Sequence, residues 1–364
     1  MELQRIVVGI DFSDASLAVA RWVAKTLAPD AELLLVHVVP EPDAPLYLRR
    51  YVGPTLARLD GMTQNLYGAL KGFADVLGAG RVRVGVRMGH PATTLARVAD
   101  EVNADLLCVG RGHLRQGGSR FGATTPQRLL AHACVPVLIA PSTVPERLEQ
   151  IVAAVDGRGD DDRVLRTASE LARAWRTTLG AVHVLESEVS PRLPSTEALT
   201  ALRPRSRQPV TITDMRLAGI EALGDEGVRA IAEDWLASEI AKVSTVAGEC
   251  AIRRGDPGPE LVAHAQDNPR TLLVVGRGPD RSPAGVSVSS FPSGSTTRYV
   301  VWSAPCPVLV LPAESESIAR RVRARLARQP HRMRLIDGSL AGLPPLMQAR
   351  SALVRGDGDG GSAA

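Results

Sequence analysis

The chain alternates short, continuous apolar runs with longer stretches in which apolar residues recur every three or four positions. Residues 5–10, RIVVGI, form a run typical of a parallel strand that is covered on both faces. Val19, Trp22, Val23 and Leu27 then lie on one face of a helix. Parallel strands that alternate with helices are joined by right-handed crossovers. The pattern therefore predicts an α/β fold with a parallel sheet and helices on both faces.

Five such strands are predicted in the first 140 residues, at positions 5–10, 31–39, 81–86, 105–109 and 136–140. The third is less apolar than the others, and we expect it at an edge of the sheet. Each run is separated from the next by a turn or by a helical pattern. This order is that of a doubly wound domain.

The same order of landmarks then repeats. Residues 151–156, IVAAVD, correspond to residues 6–11, IVVGID. Residues 272–278, LLVVGRG, correspond to residues 106–112, LLCVGRG. We therefore predict two copies of one doubly wound domain. The predicted divisions are a first domain at residues 1–141, a linker at 142–149, a second domain at 150–312 with an insertion at about 186–225, and a tail at 313–364 that contains a basic helix and ends in disorder.

The net charge of +4 is placed unevenly along the chain. The segment from Glu314 to Ala364 holds nine arginines and five acidic residues, so the remaining residues are balanced. This distribution argues against a nucleic-acid groove on the two domains. The basic helix of the tail is open to three interpretations: a solvated appendage, a segment that docks on a partner, or a contact with an anionic membrane.

The sequence indicates a cytoplasmic protein. No apolar run approaches the ~20 residues of a membrane span, and the first residues enter a strand without a signal peptide. The four cysteines have no metal-binding or CxxC spacing, so buried free thiols in a reducing compartment are expected. The sequence also lacks an HExxH motif and a clustered Ser-His-Asp set. We expect His37 and His183, which lie inside apolar strands, to be core histidines, and Asp14 to cap the helix that follows it.

A strand, a glycine-rich loop and a helix start follow one another in residues 109–133. Backbone N–H groups of such a loop, together with the positive end of a helix, favour anions. Both copies of the domain carry the same four features around such a loop. These are an aspartate after strand one, a histidine within strand two, a Gly-x-Pro helix start and a similar last strand. This set resembles the universal stress protein family, whose phosphate loop reads G-x2-G-x9-G-[S/T]. The resemblance covers nearly the whole of both copies and leaves out the insertion and the tail.

The resemblance implies a five-stranded parallel sheet of order 3-2-1-4-5 in each domain. Ligands of such sheets bind where the strand order reverses, at the carboxyl ends of the strands. In members that bind ATP, the strand-one aspartate meets the adenosine end, the backbone after strand two meets adenine, and the loop holds the phosphates. Carried onto the first copy, these positions are Asp11, Val38, Gly110, Gly112, His113, Ala123 and Thr124.

The first loop has the family's length but departs from its glycines. His113 replaces the second glycine and Ala123 the third, while Thr124 keeps the hydroxyl. Histidine is among the non-glycine residues that adopt positive φ, and its ring can donate to a phosphate. Two interpretations stay open: a loop that binds ATP or ADP, and a degenerate loop that only connects a strand to a helix.

The second copy departs from the family in a different way. Pro279 replaces the second glycine, which removes an N–H group, and the loop is five residues longer. Three aspartates at 160–162 follow strand one and are expected to direct negative charge toward a polyphosphate. A nucleotide, an adenosine-like ligand without phosphates, or no ligand are all left open. The positions that match the family here are Asp156, Gly276, Gly294 and Ser295.

These features favour a stress-response regulator that binds ATP or a related adenine nucleotide, with or without Mg²⁺, chiefly in the N-terminal domain. Little or no turnover is expected, because no residue of the motif is an obvious base for attack by water. The alternative is an interaction module with vestigial pockets. A weak ATPase or a nucleotide-dependent transferase ranks third. An unidentified protein partner, and an intrachain pseudo-dimer through the last strands of the two domains, accompany the first two hypotheses.

Overall fold

The computed structural model describes residues 3–40, 52–78, 81–111, 125–157, 160–186, 224–244, 248–277 and 295–312. Most of the insertion and the whole tail therefore lie outside the described residues. Within these ranges the chain forms two successive halves with the same order of strands and helices.

The first half contains five strands and four α-helices among the described residues. Ser13 is the N-cap of the first helix. Pro91 occupies the first turn of the third helix, where a backbone N–H has no partner within the helix and its absence costs no hydrogen bond. A π-helical turn, Val23–Leu27, extends the first helix. The elements are β1 Arg5–Gly9, α1 Asp14–Trp22, β2 Glu32–Val39, α2 Val52–Gly78, β3 Val82–Met88, α3 Pro91–Glu101, β4 Leu106–Gly110, α4 Thr125–His132 and β5 Val137–Ala140.

The second half repeats this order. Pro257 again starts the helix after the third strand of the half, as Pro91 does in the first. The elements are β6 Gln150–Val155, α5 Asp161–Trp175, β7 Thr178–Leu185, α6 Gly224–Val243, β8 Glu249–Arg254, α7 Pro257–Asp267, β9 Thr271–Gly276, α8 Ser295–Ser303 and β10 Val308–Leu311.

The continuous apolar runs form strands because both faces of the sheet are covered by helices. Ile6 and Val8 of β1 belong to the apolar layer that also contains residues of α1 and α2. Val7, which points to the opposite face, belongs to the layer that contains residues of α3 and α4. Side chains on both faces are therefore fully buried, and the cores are built almost entirely from aliphatic residues.

The ten strands form one sheet of order β3-β2-β1-β4-β5-β10-β9-β6-β7-β8. Each half thus has the order 3-2-1-4-5 in its own numbering, and the pairs within each half are parallel. The predicted fold class is confirmed, and the third strand lies at an edge of the sheet as its composition predicts. The halves meet where β5 pairs with β10 in antiparallel orientation, with Val137 opposite Val310.

Candidate functional site

The strand order of the first half reverses between β1 and β4, which pair directly in the sheet. β2 lies on one side of this pair and β5 on the other, so their connections leave in opposite directions and open a crevice. Asp11 follows the end of β1, and Gly110 is the last residue of β4. The fold therefore brings these two predicted site residues to the same crevice.

The Asp11 carboxylate is exposed and is oriented by its neighbours. Its Oδ1 accepts hydrogen bonds from the Ser13 backbone N–H at 2.9 Å and from Ser13 Oγ at 2.5 Å. Burial of part of the group tends to raise its pKa, but the hydrogen bonds from Ser13 and Ser16 outweigh burial and lower the pKa below the ordinary value. Asp11 is consequently an ionised acceptor at neutral pH.

The cap of α1 is Ser13, and the prediction of Asp14 was wrong. Ser13 Oγ accepts the backbone N–H of Ser16 at 3.3 Å, which is the bond that defines an N-cap. Asp14 instead occupies the first turn, where its negative charge still faces the positive end of the helix dipole. The Asp11-x-Ser13 spacing lets one serine orient the aspartate and cap the helix at once.

The end of β2 presents backbone groups to the same crevice. The carbonyl of Val36 accepts the N–H of Ile10 at 2.8 Å, so the backbone of Val36 points toward β1. Alternation along the strand turns the backbone of Val38 the same way, next to the point where β1 ends. The Val38 side chain is buried on the face that carries α3 and α4. Val38 can therefore offer only its N–H and C=O groups to a ligand.

A histidine secures the end of the first strand in each half. Nδ1 of His37 lies 2.7 Å from the Ile10 carbonyl, and Nδ1 of His183 lies 2.9 Å from the Val155 carbonyl. Because a carbonyl can only accept, each Nδ1 carries the proton. The rings pack on aromatic neighbours, with centroids 5.0 Å apart for His37 and Phe12. His183 is buried, as the core interpretation predicts, whereas His37 is only half-buried. The sequence does not reveal that both rings hold a strand end at the rim of the crevice, although a histidine recurs in both second strands.

Gly110 is required by packing in the first half. A Cβ at this position would lie 2.6 Å from the Ser16 backbone nitrogen and 2.7 Å from the Ala15 carbonyl carbon. The backbone of β4 therefore contacts the first turn of α1 directly. A Cβ at the equivalent Gly276 would find its nearest atoms at 3.7 Å, on Asp160 and Val164. The two crevices consequently differ in how closely the first helix approaches the fourth strand.

In the second half, a carboxylate takes the place of the serine hydroxyls that surround the end of β1. Asp161, at the start of α5, accepts the backbone N–H of Asp156 at 3.0 Å and that of Gly157 at 2.7 Å. Burial raises the pKa of Asp161 to about 6; the negative charges of Asp156 and Glu239 add to this, while the two backbone hydrogen bonds oppose it. The Asp161 carboxyl under the end of β6 is therefore mostly ionised at pH 7 and takes up a proton as the pH falls through about 6.

The three aspartates of the second half point in different directions, which corrects the expectation that all three face a polyphosphate. Asp161 turns inward to the backbone, and Asp162 is exposed and paired with Arg166 at 2.8 Å. Asp160 remains close to Gly276, and its Oδ2 lies 3.6 Å from Nη2 of Arg163. Nε and Nη2 of Arg163 are buried with no hydrogen-bond partner among the described atoms. The negative charge at this crevice is therefore carried by Asp156 and Asp160, and that of Asp160 is offset by the guanidinium of Arg163.

Several predicted site residues lie outside the described residues, namely Gly112, His113, Ala123, Thr124 and Gly294. Ser295 begins α8, but its side chain is not described. The helices that follow the two loops are described, and α4 begins at Thr125. The described part of the site consists of the strand ends, the first turns of α1 and α5, and the helices α4 and α8.

Other features of the described chain lie away from this crevice. A cleft of about 330 Å³ lies at the ends of β7 and β8, against the start of α6. No cluster of three metal-ligating side chains occurs in the described ranges, and no helix there has the length and apolarity to cross a membrane. Cys108 and Cys306 are buried free thiols, and burial raises the pKa of Cys306 to about 12. The cleft is lined by Leu185, Glu226, Arg229, Ile252, Arg253 and Arg254.

Comparison with known families agrees with this architecture. The Universal stress protein family matches the chain twice, at residues 2–141 and 148–312. The two matches together cover well over half of the sequence, and the chain belongs to this family. It is a tandem member with two family domains in one polypeptide. No curated protein matches the sequence.

Solved structures show the same two-domain fold. A universal stress protein from Archaeoglobus fulgidus DSM 4304 superposes with a TM-score of 0.55 at 17% identity, covering 85% of this chain and 96% of its own. A functionally unknown protein from Pseudomonas aeruginosa PAO1 superposes with a TM-score of 0.53 at 17% identity, covering 89% of this chain and 98% of its own. At these identities the likeness concerns the fold.

Proposed function

We propose that this protein is a cytoplasmic stress-response regulator that binds ATP or a related adenine nucleotide in its first half, with little or no turnover. The observation that carries the proposal is the Asp11 carboxylate, which is exposed, ionised and held by Ser13 at the crevice between β1 and β4. A carboxylate accepts hydrogen bonds strongly from the paired hydroxyls of a ribose. Its position at the strand end therefore suits the sugar of a nucleotide.

The remaining groups of the first half fit the other parts of such a ligand. The backbone of Val38 supplies one donor and one acceptor, which is the complement of an adenine edge. The start of α4 follows the glycine loop directly, and a helix N-terminus favours phosphate through its unpaired N–H groups and its dipole. With nucleotide bound, Asp11 would hold the sugar, Val38 the base, and the loop with the start of α4 the phosphates.

Little turnover is proposed because Asp11 is a poor general base. Its pKa lies below that of an ordinary aspartate, whereas an efficient general base has a pKa near the working pH. Its Oδ1 is also engaged by two hydrogen bonds from Ser13. The nucleotide would then act as a regulatory ligand that changes the conformation of the protein or its choice of partners. Any Mg²⁺ would be bound by the phosphates of the nucleotide.

The second half is proposed to take an adenosine-like ligand without phosphates, or none. Asp160 lies beside Gly276, where the loop begins, and a carboxylate there repels a polyphosphate. Arg163 offsets part of that charge. The two halves therefore differ in ligand preference rather than in fold.

Equilibrium dialysis of the full chain with radiolabelled ATP tests the proposal. The expected result is saturable binding of one ATP per chain. Asp11→Asn should weaken binding by about tenfold or more, since a hydrogen bond to a charged group is lost. Asp156→Asn is the matched control in the other half and should leave the affinity unchanged. Absence of saturable binding at millimolar ATP refutes the proposal.

A second candidate function is an interaction module without nucleotide. The antiparallel pairing of β5 with β10 supports it, because the pairing covers two apolar edge strands and is the contact that an intrachain pseudo-dimer would use. Such a module needs no ligand to present a rigid surface to a protein partner. Failure of ATP binding in the dialysis experiment, with the fold intact, would favour this function.

A further inference from the structure

Two arginines connect the halves next to the candidate loops. Arg111 follows β4 and Arg277 follows β9, each as the first residue beyond the strand that opens a loop. Nη1 of Arg111 lies 3.3 Å from the carbonyl oxygen of Val301 on α8, in the other half. Nη2 of Arg277 lies 3.4 Å from the carbonyl oxygen of Ala131 on α4, again in the other half. The two contacts are reciprocal.

Both contacts are made at the same place on the receiving helix. Ala131 lies in the last turn of α4 and Val301 in the last turn of α8. Carbonyls of a last turn lack partners within their own helix, and a cation there also faces the negative end of the helix dipole. Each guanidinium therefore stabilises the C-terminal end of a helix whose N-terminal end follows a candidate phosphate loop.

The backbone of each arginine is fixed as well. The N–H of Arg111 donates to Ala140 of β5 at 2.7 Å, and that of Arg277 donates to Leu311 of β10 at 3.1 Å. β5 and β10 are the strands that pair across the junction between the halves. Arg277 is buried, and burial strengthens a charged hydrogen bond to a carbonyl. The arginines are therefore anchored at the junction, with their side chains directed across it.

We propose that Arg277 and Arg111 are positioning residues that act across the junction, each holding the helix that follows the candidate phosphate loop of the opposite half. In each half, the arginine after the fourth strand and the helix that follows in the sequence are then both in contact with the other half. A residue of one half would then influence the affinity of the other half for its ligand. The inference rests on the proposed nucleotide site for its consequence, but the contacts themselves can be tested without nucleotide.

Hydrogen–deuterium exchange of the ligand-free full chain tests the contacts. Arg277→Gln should speed exchange of the amides at residues 129–133, the end of α4, by about tenfold, as expected for loss of a charged hydrogen bond. The amides at residues 300–304, the end of α8, should be unaffected. Arg111→Gln should give the reverse pattern. Arg277→Lys, which keeps a cation at the helix end, should restore most of the protection.

Arg270→Gln is the matched control. Arg270 directly precedes β9, and Arg277 directly follows it. The guanidinium of Arg270 pairs with Glu149 on the surface. This variant should leave exchange in α4 and α8 unchanged. Equal acceleration of both helices by Arg277→Gln, or acceleration by Arg270→Gln, would indicate general destabilisation and would overturn the proposal. Unchanged exchange at the end of α4 in Arg277→Gln would also overturn it.

Titration with ATP then tests the consequence. Arg277→Gln should weaken binding to the first half by about fivefold, although Arg277 belongs to the second half, and Arg270→Gln should not. Unaltered affinity in Arg277→Gln refutes the coupling. If the unmodified chain binds no ATP while α4 still responds to Arg277→Gln, the nucleotide proposal fails and the positioning role stands.

Discussion

Ser16 and Asp161 occupy the same place in the two halves, because each side chain accepts the backbone N–H of its strand-one aspartate. The distances are 3.3 Å from Asp11 N to Ser16 Oγ and 3.0 Å from Asp156 N to Asp161 Oδ1. A neutral hydroxyl in the first half is thus replaced by an acid in the second. The strand end keeps its hydrogen bond in both, while the electrostatics of the two crevices diverge.

This replacement predicts a pH-dependent stability that depends on Asp161. Its pKa in the folded chain is raised from 3.8 to about 6, so the folded state holds the proton more tightly than the unfolded state does. The resulting stabilisation is fully present below about pH 3.8 and is lost as the pH rises through about 6. Relative to Asp161→Ser, the wild-type chain should lose on the order of 2 kcal/mol of unfolding free energy between pH 4 and pH 7.

Urea unfolding at several pH values measures this difference. Asp162→Ser serves as the control, since Asp162 is exposed and pairs with Arg166 on the surface. Its stability curve should run parallel to that of the wild type. If Asp161→Ser also runs parallel, the carboxyl does not titrate in this range and the account of the second crevice is wrong.

A second prediction compares the glycines that end β4 and β9. Gly110→Ala should destabilise the chain by about 1–3 kcal/mol, because the added methyl meets the backbone of α1 at 2.6 Å. Gly276→Ala should change stability by less than about 0.5 kcal/mol, because its nearest neighbours lie at 3.7 Å. Denaturant midpoints of the two variants give the comparison. Equal effects would show that the helix does not approach β4 as described.

The sequence predicts the sheet well because its strands are buried on both faces. Continuous apolar runs such as residues 5–10 are typical of covered parallel strands, and the repeated order of landmarks indicates two domains. The composition of β3 places it at the edge for the same reason. The sequence pattern places the N-cap of α1 at Asp14, one residue too late, because serine and aspartate are both good N-caps. Only the structure shows that the Ser13 side chain accepts the helix N–H group.

A third prediction concerns the turn after each first strand. Phe12 and Gly157 are equivalent, and both adopt left-handed backbone, with φ of 61° and 77°. Gly157→Ala should cost about 1–2 kcal/mol, since a methyl in this conformation is strained although space is available next to Trp235. Gly68→Ala, on the exposed face of α2, should instead add about 0.5–1 kcal/mol. Thermal melts that shift in the same direction for both variants would contradict this account of the turn.

The candidate site is predicted only in part by the sequence. Motif matching finds Asp11, Gly110 and their counterparts, because the strand ends meet at the switch point of the sheet. It does not find that Asp161 turns inward, since three consecutive aspartates look alike in a sequence. Nor does it find the arginine contacts, because Arg277 and Ala131 are 146 positions apart and meet only through the pairing of β5 with β10.

The position of the nucleotide is the central claim, and photoaffinity labelling tests it directly. The full chain would be irradiated with an azido derivative of ATP, digested, and mapped by mass spectrometry. We predict label on peptides of the first half, within residues 3–40 and 81–111, that is suppressed by excess ATP and by Asp11→Asn. Label confined to residues 150–186 and 248–277, or label that ATP does not suppress, would contradict the assignment of the functional site to the first half.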